Sequence, residues 1–162
     1  MLAPWLAPTV FLAALAAPGI ASAPERPPSG VGDLPAPRGQ TLTIGVTGFR
    51  NRDGALQCSL FSSRVGFPDH PDAAIATQRS PIGPDLAAEC VFRGLVPGEY
   101  AVGVMHDENG NGKFDQGLFG VPLEGYGFSN NHTHAFSAPT WEESRFDVAP
   151  GEDPVLSVEL RY

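Results

Sequence analysis

In residues 41–46 every second side chain is apolar: Leu42, Ile44 and Val46 alternate with Thr41, Thr43 and Gly45. A period of two puts one set of side chains on a buried face and the other toward water, which a strand satisfies and a helix does not. The same period returns in residues 55–61, where Leu56, Cys58 and Leu60 are in phase, and in 86–93, with Ala88, Cys90 and Phe92. It closes the chain in 154–162, with Leu156, Val158, Leu160 and Tyr162 on one face. Residues 144–148 read as a further short strand. Residues 99–106, EYAVGVMH, alternate little and read as a strand covered on both faces. Turn residues join these segments. Asn51-Arg52-Asp53-Gly54 is the clearest case, because Asp-Gly between two alternating runs is a hairpin signal.

Composition agrees. With 19 Gly and 17 Pro in 162 residues, the chain is punctuated too often for long helices. The only helical feature expected is a single turn in 72–77. Short strands separated by turns predict an all-β sandwich of about seven strands, occupying one domain over residues 40–162. Residues 24–39, rich in Pro and Gly, read as an extended linker. Residues 107–140 carry no strand signal at all. A loop of that length inside a compact domain is expected to be ordered by a function or a ligand.

The first 23 residues contain no charged side chain, and 5–20 are almost wholly apolar before the small-residue stretch Gly19-Ile20-Ala21-Ser22-Ala23. This is the composition of a cleavable export signal. Pro8 and Pro18 interrupt an apolar run that is short for a membrane span, which needs about 20 residues. The expectation is a chain exported to the periplasm or beyond the cell, with no transmembrane segment after processing; a retained N-terminal anchor is the alternative. An oxidising compartment bears on Cys58 and Cys90, both in phase with inward sets. Pairing would close a loop of about 30 residues and contribute roughly 3 kcal/mol. Two buried thiols are the other reading. The net charge of −8 disfavours nucleic acid and basic docking on anionic membranes.

One motif carries chemistry. Residues 107–115 read Asp-Glu-Asn-Gly-Asn-Gly-Lys-Phe-Asp, placing side-chain oxygens at Asp107, Asn109 and Asn111 with Gly112 next. A loop that coils around a hard cation turns every second side chain inward, so this alternation suits Ca²⁺. Lys113 would add its backbone carbonyl and Asp115 a further carboxylate. Leu118 stands where an EF-hand has its bidentate Glu, so the expected site is weak and structural, with Glu124 or loop carbonyls completing the shell. An Asn-Gly-rich turn without an ion is the competing reading.

His132-x-His134 has the spacing of a Zn²⁺ or Cu²⁺ pair but no third ligand nearby, and reads as solvated. His106, at the end of a strand, reads as a hydrogen-bond donor to a loop carbonyl. No G-x-S-x-G elbow, phosphate loop or dinucleotide fingerprint occurs, so no catalytic residue and no organic cofactor is assigned. Tyr126, Phe128, Asn130 and Asn131 form a candidate ligand surface, since aromatics beside amides can stack on and hydrogen-bond a sugar or peptide. In the plainer reading these aromatics, with Trp141 and Phe136, pin the long loop onto the sandwich.

The runs GLVPGEYAVGVMHDENGNGKFD, GVPLEGYGFSNN and APTWEESRFDV, with the final LRY, resemble a bacterial family of exported proteins known as domain of unknown function twenty-one forty-one. The resemblance extends from about Thr41 to Tyr162. It implies an immunoglobulin-like or prealbumin-like antiparallel β-sandwich, and it implies no activity. The expected function is therefore a non-enzymatic binding or structural module of the cell envelope with a Ca²⁺ loop, its partner an envelope protein or a glycan. A carbohydrate- or peptide-binding accessory domain is the alternative, and a small metal-dependent hydrolase around His106 and Asp107 the more remote one.

Overall fold

The computed structural model describes residues 39–134 and 137–162. The expected signal segment 1–23, the 24–39 linker except Gly39, and Phe136 lie outside them. Eight strands appear: β1 (Gln40–Thr47), β2 (Ala55–Phe61), β3 (Ala76–Ser80), β4 (Ala88–Leu95), β5 (Gly98–Asp107), β6 (Gly125–Phe128), β7 (Phe146–Val148) and β8 (Val155–Glu159). One sheet has the order β4-β1-β8. The other has the order β3-β2-β5-β6, with β7 pairing the first residues of β5. The fold is an all-β sandwich. Every pairing is antiparallel except β1 with β8, which is parallel.

The alternating runs do what their period requires. Leu42, Ile44 and Val46 are fully buried and face Leu56, Cys58, Leu60, Val102 and Val104 from the other sheet. Cys58 of β2 and Cys90 of β4 are bonded to each other across this core, their Cα atoms 6.5 Å apart. The two sheets also meet at their edges. On one side Gln78 Oε1 accepts from Val91 N (2.9 Å) and Ser80 Oγ donates to Glu89 O (2.5 Å), joining β3 to β4. On the other, Tyr126 and Arg161 exchange backbone hydrogen bonds of 2.9 and 2.8 Å. These contacts tie the outer strands of the two sheets to each other.

Three expectations are corrected. The Asp53-Gly54 turn does not make a hairpin, because β1 and β2 lie in different sheets. Gly54, at φ +65, instead lets the chain cross beside β5: a Cβ there would fall 1.8 Å from the Asp107 carbonyl oxygen. The helical turn expected in 72–77 is a 3₁₀ turn over Pro71–Ala73, and its last residues belong to β3. The long segment 107–140 is not all loop, since it contains β6. It is followed by the short helix α1 (Trp141–Ser144). No helix among the described residues is long and apolar enough to cross a membrane.

Candidate metal loop and adjoining groove

β5 ends at Asp107, whose side chain is completely buried. Its Oδ2 accepts from Gly112 N at 2.9 Å and lies 2.7 Å from Arg79 Nη2 of β3. Its Oδ1 is buried and has no hydrogen-bond partner among the described residues. The loop then coils as its composition requires. Asn109 Oδ1 accepts from Asn111 N (3.0 Å) and Asn111 Oδ1 from Lys113 N (2.7 Å), each closing a turn two residues ahead. Both amide nitrogens point at Asp115, donating to its Oδ2 at 2.5 and 3.0 Å.

Glu124 completes the cluster. It is almost fully buried, although it lies nine residues beyond Asp115 in the chain. Its Oε1 accepts from Glu108 N (3.0 Å) and its Oε2 from Asp115 N (3.2 Å), so one carboxylate ties the start of the loop to its end. Leu118, at the position an EF-hand gives to Glu, is instead exposed in a 3₁₀ turn. Asp107, Asp115 and Glu124 thus share one loop, and among the described residues Arg79 is the cation in a salt bridge with them. Carbonyl and carboxylate oxygens that already accept one N–H retain a second lone pair. The donor set is carboxylate and carboxamide oxygen, the chemistry of a hard cation. Among the described residues no cluster of three His, Cys, Asp or Glu side chains stands ready for a metal.

The histidines are placed elsewhere. His106 is fully buried, with Nε2 2.7 Å from the Asp53 carbonyl and Nδ1 2.7 Å from the Tyr162 hydroxyl. A carbonyl only accepts, so Nε2 donates to Asp53 O. Burial raises the Tyr162 hydroxyl above its usual pKa. Nearby Glu108 is pushed up by burial, yet hydrogen bonds from Arg50 and Asn51 hold it below the ordinary carboxylate range. His134 lies against Glu143 (3.0 Å), and both it and His132 are exposed. The Glu143 carboxyl is lowered to about 2, first by the Thr140 backbone N–H and then by His134 and the Thr140 hydroxyl.

Next to the 107–115 loop, on the outer face of the β2–β5–β6 sheet, lies a groove of about 1000 Å³. One side is walled by an aromatic cluster in which Phe67 packs edge-on against Phe61, Phe128 and Trp141. The other side is walled by residues 112–122, where Phe114 packs edge-on against Tyr126 at 5.8 Å. Gln57, Ser59, Gly103 and Met105 belong to the lining between them. Of the four residues read as a ligand surface, the groove brings in Tyr126 and Phe128 only. Asn130 donates to the carbonyls of Glu143 and Arg145, both at 3.0 Å. Asn131 donates to Ser157 O (2.8 Å) and accepts from Glu159 N (2.9 Å). These amides clasp α1 and β8 rather than face a ligand.

Sequence reasoning missed Arg79, and it missed Gln57 and Ser59 as groove residues. The alternation of 55–61 does mark Gln57 and Ser59 as outward, so a signal existed for them. None marked Arg79, in a strand without apolar alternation. A comparison with curated proteins and one with solved structures return no match. A family model described as "Uncharacterized protein conserved in bacteria (DUF2141)" matches residues 44–155, from the middle of β1 to the start of β8, and encloses the 107–124 segment. The chain belongs to that bacterial family.

Proposed function

We propose that this chain is an exported, non-catalytic binding module whose 107–124 segment is held in place by Ca²⁺. Asp107, Asn109, Asn111, the Lys113 carbonyl and Asp115 supply the oxygens, and Glu124 ties the loop ends beneath them. The observation that carries the reading is the Asp107 carboxylate: it is wholly buried, and its Oδ1 has no partner among the described residues. An unpaired buried acceptor costs about 1–3 kcal/mol, more for a charged group, and a bound cation removes that cost. Carboxylate and carboxamide oxygens favour a hard ion such as Ca²⁺ over Zn²⁺. Arg79 already offsets part of the charge, so the site is weak, roughly 10⁻⁴–10⁻³ M, the range of modules that work in Ca²⁺-rich surroundings outside the cytoplasm. A non-catalytic role is supported by His106, whose two ring nitrogens are both held in hydrogen bonds.

Melting temperature tests this. An ion at tenfold its dissociation constant stabilises the fold by about 1.4 kcal/mol. That corresponds to a rise of roughly 5 °C in CaCl₂ over EGTA for a domain of this size. Asp107→Asn should abolish the rise. Equal melting in CaCl₂ and EGTA, with the variant unchanged, would remove the cation from the account.

A further inference from the structure

The 1000 Å³ groove lies at the upper end of the size of small-ligand sites. Several polar side chains near it are engaged: Gln78 and Ser80 bond β4, Ser129 bonds Val102 and Ser144, and Asn130 and Asn131 bond backbone carbonyls. Gln57, Ser59 and Gln116 line the groove and make no side-chain hydrogen bond among the described residues. Amides and a hydroxyl, each both donor and acceptor, are thus left open between aromatic walls. Asp69 and Lys113 bring opposite formal charges to the lining, so it carries no fixed net charge although the chain is at −8. Phe119 adds an aromatic ring at the rim that is fully exposed and touches no cover.

We infer that this groove binds a neutral oligosaccharide. Sugar rings offer apolar C–H faces to aromatic side chains and hydroxyls that need partners able both to give and to accept a hydrogen bond. Tyr126, half-buried with its ring in the groove, and the open Gln57 and Gln116 amides supply those two halves. An alkyl chain would leave the amides unpaired against it. A peptide added as a strand needs a free sheet edge, and beside Tyr126 that edge is taken by Arg161. The inference deepens the reading of the chain as a binding module and does not depend on the cation.

The full chain in CaCl₂ is screened on an array of neutral oligosaccharides, and maltotriose, cellotriose and triacetylchitotriose are titrated by calorimetry. The expected result is saturable binding, with the sugar recovered at its original length. Loss of the Tyr126 ring in Tyr126→Ala should weaken binding about tenfold or more. Gln57→Ala, with no partner to lose, should weaken it while leaving the melting temperature unchanged. Thr43→Ala, on the outer face of the other sheet, should bind as the parent does. The inference is overturned if no neutral sugar binds, if binding ignores both groove variants, or if a peptide array or palmitate yields the ligand that those variants release. A cleaved sugar would instead refute the non-catalytic reading. Sugar binding that persists in EGTA, without any Ca²⁺ effect on melting, would refute only the cation.

Discussion

At the scale of single residues the protein is governed by where its carboxylates find donors. Asp107 accepts from Gly112 N and Arg79 with one oxygen and leaves the other buried and unmatched. Glu124 accepts two loop amides. Glu143 sits under Thr140, whose backbone N–H and hydroxyl both donate to it at 2.8 Å, with His134 as a third partner. These contacts favour the ionised form and hold its pKa at about 2 against an ordinary 4.5. A depressed folded pKa contributes stability that is present above the unfolded value and is lost as pH falls through the folded one. The stability advantage of the parent over Glu143→Gln should therefore be full above pH 4.5 and disappear by about pH 2. Urea denaturation at stepped pH measures this, and an advantage unchanged across that window would contradict it. The effect should also shrink in high salt, since the group is exposed. The Asp-Asn alternation of the loop could be read from sequence because its residues are neighbours. Arg79 could not, because it reaches Asp107 through strand pairing.

At the scale of elements, what could be read depended on whether burial left an apolar period. β1, β2, β4 and β8 carry one, and β5 is legible instead as a continuous apolar run. β3, Ala-Thr-Gln-Arg-Ser, holds its place by Gln78 and Ser80 bonding to β4, so it shows no apolar stripe. β6, Gly-Tyr-Gly-Phe, resembles a loop because of its glycines, yet those glycines are where the sheet packs closest. A Cβ on Gly127 would stand 2.6 Å from Val158 Cγ1. The cysteines announced themselves by their inward phase, and they link β2 to β4 over a sequence separation of 32. Opening that loop in the double variant Cys58→Ala, Cys90→Ala should cost about 3 kcal/mol in urea denaturation. A loss below about 1 kcal/mol would mean that the edge contacts of β3 and β4 already fix the two sheets.

At the scale of the molecule, two sheets tied together on both sides form a frame, and the segment from Asp107 to Glu124 follows the end of β5. That segment is both the oxygen-rich loop and a wall of the groove. An acidic chain at −8 gathers cations without choosing among them, which makes location the deciding observable. The amides of Gly112 and Asp115 donate to the Asp107 and Glu124 carboxylates and so report on the loop directly. Nitrogen-15 NMR spectra recorded as CaCl₂ is added to the EGTA-stripped protein should show these two amides moving together and saturating near about 1 mM. The same titration of Asp107→Asn should leave them still. Amides of 107–115 that stay in place in the parent up to about 10 mM, or shifts scattered over other acidic surface with no saturation, would contradict a Ca²⁺ site in this loop.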